Sequence, residues 1–161
     1  MADELTIILG NKKESYQSII PQIKALIGGE PDLIANLANI TAALKEQFGW
    51  LWIGFYLVKN DELVLGPFQG PVACTRIRKG RGVCGTGWQN GATLIVPDVE
   101  KFTGHIACSS LSKSEIVVPV IRNNEVIGVL DADSELSGHF DETDMEYLEE
   151  IVAAIYFDPF F

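Results

Sequence analysis

The sequence predicts a single α+β domain with a central, mostly antiparallel sheet of about five or six strands and helices packed on it. The chain has 161 residues, the length of one ordinary domain. Its first third has apolar residues at helical spacing, whereas the chain after residue 50 consists of short strand-like runs joined by turns. Short connections favour antiparallel pairing, and segregated helices favour the α+β class.

Two helices are predicted in the first third of the chain. The first runs from Glu14, repeats apolar residues at helical spacing and stops at Gly28-Gly29. Pro31 opens the second, which ends near Gly49, because proline is favoured in the first turn of a helix.

The pattern changes at Trp50, where an aromatic and β-branched run extends to Val58 and predicts a mostly buried strand. The glycine-rich stretch 80–91 predicts a tight loop or a short helix entry. Further strands are predicted at residues 63–65, 72–77, 93–96, 116–121 and 126–130. The last two form the clearest hairpin, since the turn between them contains Asn123-Asn124, which tolerate positive φ.

A C-terminal helix completes the predicted domain. Asp141 or Thr143 is expected to cap it, and its apolar residues continue to Ile155. No repeat or linker interrupts the chain. The predicted boundaries are 1–161 for the single domain, 1–30 for an N-terminal helical segment and 31–157 for the core.

Charge and hydropathy limit the possible partners. Twelve Lys and Arg against 22 Asp and Glu give a net charge of −10, so binding to nucleic acid or to an anionic membrane is not expected. The one basic run, Arg76–Arg81, is interpreted as a solvated turn. No apolar run approaches the roughly 20 residues that span a bilayer, and the N-terminus is acidic, so we expect a cytoplasmic protein.

Three cysteines, Cys74, Cys84 and Cys108, indicate thiol chemistry as one hypothesis. An odd number in a reducing compartment argues against a static disulfide framework. Their spacing does not match the paired cysteines of a structural zinc site. They cluster in glycine-rich segments of the middle third, where cysteines that merely fill a core need not lie.

The predicted second hairpin brings three carboxylates to one end. Glu115 begins the outgoing strand, and Asp131 and Asp133 end the return strand on one face. A two-residue loop would place Glu115 opposite Ala132 on the other face, whereas a three-residue loop would place it opposite Asp133. Pro119 cannot donate to the ladder and could mark the irregularity that decides the register.

Three interpretations of the carboxylate cluster remain open. It could simply end the strands in solvent, bind a hard cation such as calcium or magnesium, or bind a cationic group and lend a proton to a reacting oxygen. Cys108 lies seven residues before Glu115, within chain reach of the cluster, and His105 lies beside it. Carboxylates raise the pKa of a nearby thiol, unless one acid is protonated or the substrate brings a positive charge.

Several segments together resemble the free methionine-R-sulfoxide reductases, a branch of the GAF-domain superfamily. The resemblance implies a GAF-like fold and covers nearly the whole chain from about Leu33. The Gly-His-Ile-Ala-Cys and Ser-Glu-Ile-Val motifs and the cysteine spacing are its specific features. The segments that carry it are 52–56, 65–74, 80–86, 95–99, 104–108, 114–119 and 130–133.

The resemblance implies roles for individual residues. Cys108 would be the attacking thiol, Cys74 the resolving thiol, and Cys84 a second or auxiliary one. The implied substrate-binding residues are the aromatic Trp52 and Tyr56 and the carboxylates Glu115, Asp131 and Asp133. It further implies recycling by thioredoxin, a homodimer, a role in the response to oxidative stress, and no cofactor or metal.

The resulting hypothesis is an enzyme that reduces free L-methionine-(R)-S-oxide through a cysteine sulfenic acid and an intramolecular disulfide. The substrate's ammonium would compensate carboxylate charge, which a methionine sulfoxide inside a protein cannot do. The main alternative is a non-catalytic GAF sensor that binds a small molecule in the same pocket. A metal-binding protein using His105, Cys108 and the carboxylates is a second alternative.

Overall fold

The computed structural model describes residues 4–106 and 108–156, so the predicted core boundary at 157 lies outside the described residues. One six-stranded antiparallel sheet and four α-helices confirm the predicted α+β class. The helices are α1 Lys12–Ile27, α2 Leu33–Phe48, α3 Gly82–Asn90 and α4 Glu142–Ala153, with a 3-10 turn at Val99–Lys101. The strands are β1 Trp52–Lys59, β2 Glu62–Gln69, β3 Arg76–Arg78, β4 Leu94–Val96, β5 Ser114–Arg122 and β6 Glu125–Ser134, in the sheet order β3-β2-β1-β6-β5-β4.

The two faces of the sheet carry different layers. Helices α1, α2 and α4 cover one face and bury the main hydrophobic core against alternate strand residues such as Ile53 and Phe55. Trp52 and Tyr56 point to the other face, where α3 packs with Cys84 and Trp88 in a smaller cluster. No helix in the described part of the chain has the length and apolarity that crossing a bilayer requires.

Helix ends and one strand differ from the prediction. Helix α1 begins two residues before Glu14, because Asn11 and Glu14 form a reciprocal capping box. Of the two candidate caps for α4, Asp141 is the one used. The predicted strand 72–77 is displaced to the three residues of β3, and the glycine-rich stretch 80–91 contains α3.

The β5–β6 hairpin resolves the register question. Its loop is the two-residue Asn123-Asn124 turn, with φ of 48° and 62°. A register shift between Val120 and Ile121 adds one residue to β6, so Glu115 nevertheless lies opposite Asp133. The expectation that a two-residue loop leaves Glu115 on the opposite face is therefore wrong. The irregularity falls one residue beyond Pro119.

Candidate active site

A narrow cleft opens on the sheet face that carries α3. It lies between strands β1, β5 and β6, the start of α3, and the loops that precede β3 and β5. Its cavity volume is about 50 Å³, so it suits a small molecule rather than a folded polypeptide. Seven of the eight predicted site residues line it: Trp52, Tyr56, Cys84, Cys108, Glu115, Asp131 and Asp133.

Aromatic side chains from β1 form one wall of the cleft. The Trp52 indole stacks on Phe68 at 5.4 Å between ring centroids and donates a hydrogen bond from Nε1 to the carbonyl of Pro71 at 3.1 Å. Gly54 makes room for this ring, because a Cβ there would lie 2.3 Å from the indole. Tyr56 lies 5.9 Å from Trp52. The wall is apolar and fixed in orientation, as a binding surface for a methyl or thioether group must be.

The three carboxylates come together on this face. Glu115 lies directly opposite Asp133 on β6, and Asp131 lies two residues before Asp133 on the same strand. Glu115 and Asp131 are each only 6% exposed. Among the described residues, Asp131 Oδ1 is buried without a hydrogen-bond partner. An unpaired buried acceptor is costly, so this atom marks a place for a ligand donor or a shared proton.

Burial raises the pKa of all three acids. It raises the pKa of Glu115 well above its ordinary value, and the charges of Asp131 and Asp133 raise it further. The pKa of Asp131 is likewise raised by burial and then by the charge of Asp133. Burial raises the pKa of Asp133 to about 6, although a hydrogen bond from Ser112 opposes the shift. The raised pKa values favour the protonated forms of these acids.

Cys84 and His105 both face Glu115. The Cys84 thiol donates to Glu115 Oε1 at 3.9 Å, and burial followed by the negative charges of Asp131 and Glu115 raises its pKa. His105 Nε2 lies 3.9 Å from Glu115 Oε2, and burial lowers the pKa of the imidazole, which is neutral at pH 7. In the described ranges, the groups close enough to share a metal ion are Cys84, Glu115 and Asp131, rather than a set with His105 and Cys108.

A disulfide joins Cys74 to Cys108, with their Cα atoms 5.7 Å apart. Cys108 lines the cleft, whereas Cys74, on the loop before β3, does not. The hydroxyl of Tyr56 donates to the carbonyl oxygen of Cys74 at 3.0 Å and so ties this loop to β1. Cys84 is a free, buried thiol. The geometry thus pairs Cys74 and Cys108 and leaves Cys84 unpaired beside the acids.

Sequence reasoning missed two side chains of the cleft. Ser112 donates to Asp133, a contact that depends on the loop before β5 folding back over the end of β6. Arg81 lines the cleft, although the basic run that contains it was interpreted as a solvated turn. Its position directly before a glycine-rich helix start was the one signal that could have found it.

The raised pKa of Asp133 predicts a pH dependence of stability. The pKa of Asp133 in the folded protein, about 6, exceeds its ordinary value of 3.8. The contribution of protonated Asp133 to the free energy of unfolding is therefore fully present below about pH 4. It is lost as the pH rises through 6, which lowers the free energy of unfolding by about 3 kcal/mol. We expect Asp133→Asn to remove this part of the decrease, measured by urea unfolding at several pH values without reductant. Parallel profiles for the variant and the wild type would contradict the assignment.

Fold and site together define an α+β domain with a small-molecule cleft that holds one cysteine of a disulfide pair and three clustered acids. The family model for the GAF domain matches residues 32–156. GAF domain-containing protein A of Dictyostelium discoideum is 64% identical over 94% of this chain and 97% of its own length. The free methionine-R-sulfoxide reductase of Escherichia coli (strain K12) is 47% identical over 90% of this chain and 88% of its own.

Solved structures agree with these relatives. An X-ray structure of free methionine-R-sulfoxide reductase from Neisseria meningitidis in complex with its substrate is 55% identical, with a TM-score of 0.93, and covers 94% of this chain and 92% of that one. The chain therefore belongs to the GAF-domain family, in the group that contains the free methionine-R-sulfoxide reductases. The resemblance noted from the sequence is confirmed.

Proposed function

We propose that this protein reduces free L-methionine-(R)-S-oxide to methionine. The observation that carries the proposal is the placement of Cys108, disulfide-linked to Cys74, on the same cleft as three carboxylates, two of them buried. The named activity of the relatives in Escherichia coli and Neisseria meningitidis supports the substrate and its epimer.

The reaction begins with activation of the sulfoxide. Its sulfur becomes electrophilic when its oxygen is protonated or strongly hydrogen-bonded, and the acid cluster supplies the proton. Glu115 and Asp131 are the buried acids best able to carry one at neutral pH. The Cys108 thiol attacks sulfur, the oxygen is transferred to it, and methionine leaves. The sulfoxide is reduced by two electrons, and Cys108 is oxidised to a sulfenic acid.

The second half-reaction regenerates the thiols. Cys74 attacks the sulfenic acid of Cys108, forms the S–S bond and releases water. An external dithiol then reduces the disulfide and is itself oxidised to a disulfide. We infer that thioredoxin in the cytoplasm is this reductant and that the protein acts as a homodimer, as the family resemblance implies.

The charge of the cleft supports a free amino acid as substrate. The described acids face the ligand without a buried Lys or Arg beside them, so the substrate's ammonium offsets the carboxylate charge that remains. A methionine sulfoxide within a polypeptide has an amide in place of this ammonium. The Trp52 wall accepts the methyl end by apolar contact.

The experiment that tests this function compares four candidate substrates with reduced protein and a dithiol reductant. They are the free R epimer, the free S epimer, a peptide containing methionine sulfoxide, and free dimethyl sulfoxide. We expect only the free R epimer to be reduced to its sulfide at an appreciable rate, measured for each substrate as loss of the sulfoxide. Binding of the R epimer without turnover would instead favour the non-catalytic sensor, and equal turnover of the peptide would contradict the specificity.

The resolving role of Cys74 predicts a distinct kinetic defect. Cys74→Ser should form about one methionine per subunit and then stop with a protein dithiol reductant, because the sulfenic acid on Cys108 lacks its partner. A sulfenic-acid probe followed by mass spectrometry should label Cys108 in the variant and not in the cycling wild type. Normal cycling of Cys74→Ser would transfer the resolving role to Cys84.

A further inference from the structure

The basic run Arg76–Arg81 is not explained by the mechanism above. Arg76 pairs with Glu62 at 3.2 Å, and the Lys79 ammonium lies 5.1 Å from the ring centroid of Trp88. Arg81, in contrast, lines the cleft, and its guanidinium makes no hydrogen bond or ion pair with any described residue, although its backbone N–H donates to the carbonyl of Arg78 at 3.1 Å. A guanidinium free of partners at the mouth of an acidic cleft is available to a ligand.

The cleft is bipolar in charge. In the part of the chain that the structure describes, Arg81 is the one lysine or arginine that lines it, and His105 is neutral because burial lowers its pKa. The acidic side holds Asp131, whose buried Oδ1 has no hydrogen-bond partner among the residues that the structure describes. Such an arrangement matches a ligand that carries both a positive and a negative group.

The start of α3 strengthens the positive side. Arg81 is the N-cap of this nine-residue helix, and no side chain caps its first N–H groups. Gly82, Val83 and Cys84, the first turn of the helix, all line the cleft. Uncapped N–H groups and the helix dipole favour an anion at this end. Cys84 contacts Glu115, so the anion position and the acids lie about one helical turn apart, roughly 5 Å along the axis.

We propose that Arg81, with the first turn of α3, binds the α-carboxylate of the substrate and is a specificity-determining residue for the free amino acid. This inference rests on the proposed function. An α-amino acid carries its ammonium and its carboxylate on one carbon, so the two charges can meet the acids and Arg81 together. A residue inside a polypeptide has neither charge, so it loses both the interaction with the acids and the interaction with Arg81.

The test compares free methionine-R-sulfoxide with its α-amide, which keeps the ammonium but lacks the carboxylate charge. Both are measured at about pH 6.5, where their ammonium groups remain protonated. We expect the wild type to prefer the acid by about 10- to 100-fold in kcat/KM, mainly through KM. In Arg81→Ala this preference should fall toward unity through a higher KM for the acid, and Arg81→Lys should keep part of it.

Arg78→Ala is the matched control, because Arg78 belongs to the same run but does not line the cleft. It should keep the wild-type preference. Circular dichroism checks the fold, and Arg81→Gln repeats the measurement if the alanine variant unfolds. An unchanged preference in the Arg81 variants, or a wild type that reduces acid and amide equally, overturns the inference and leaves the proposed function standing. A wild type that reduces neither overturns both.

Discussion

Replacing Cys108 with serine is expected to abolish methionine formation. The Sγ of Cys108 is the atom that accepts the sulfoxide oxygen, and a serine hydroxyl is neither nucleophilic enough toward sulfur nor able to form a sulfenic acid. Activity should fall by at least about a thousandfold. The measurement is the rate of methionine release from the free R epimer with excess dithiothreitol, which removes any dependence on a protein reductant.

The control for this variant is Cys84→Ser under the same reducing conditions. A serine hydroxyl can replace the hydrogen bond from the Cys84 thiol to Glu115, so measurable turnover should remain. Thermal unfolding of both variants, compared with the reduced wild type, shows whether the fold is retained. Full activity of well-folded Cys108→Ser would show that another thiol attacks the sulfoxide sulfur and would contradict the proposed mechanism.

Replacing Glu115 with glutamine is expected to produce the second largest loss. The amide keeps the shape of the side chain but cannot donate a carboxylic proton to the sulfoxide oxygen. The expected decrease in kcat/KM is about 100- to 10,000-fold, the usual contribution of a general acid. It should be accompanied by loss of the basic limb of the pH profile, since burial raises the pKa of this acid.

Glu125→Gln is the matched control, because Glu125 is exposed at the opposite end of the same strand pair. It makes the same side-chain substitution without touching the cleft. Its kcat/KM should remain within about twofold of the wild type, because an exposed charge this far away is screened by solvent. If Glu115→Gln kept wild-type activity and its pH profile, the proton donor would have to be Asp131 or Asp133.

The elements that could be predicted are those that depend on local sequence. Helices α1, α2 and α4 and the β5–β6 hairpin follow from apolar periodicity, caps and turn residues, which act over a few positions. The convergence of Glu115, Asp131 and Asp133 followed from antiparallel geometry alone. That all three acids lie on one face of the sheet could not be predicted. The bulge after Val120 inserts one residue into the ladder, and no turn rule reveals it.

The arrangement around Glu115 could not be read from chain distance. Chain distance puts Cys108, seven residues from Glu115, within reach of the acids, and it does line the same cleft. The thiol that donates to Glu115, however, is that of Cys84, 31 positions away. The reason is α3, which folds across the sheet because its glycines permit close contact. A Cβ at Gly85 would lie 2.3 Å from the carbonyl oxygen of Arg78. Such packing depends on tertiary contacts that a single sequence does not display.

The most direct test of the central claim is a stoichiometric reaction without any reductant. Fully reduced protein is mixed with excess free methionine-R-sulfoxide, and the methionine formed and the thiols lost are counted together. We predict one methionine and two thiols lost per subunit, with mass spectrometry locating a new disulfide between Cys74 and Cys108 and a free thiol at Cys84. Formation of that disulfide without methionine, or no reaction at all in well-folded protein, would contradict the account.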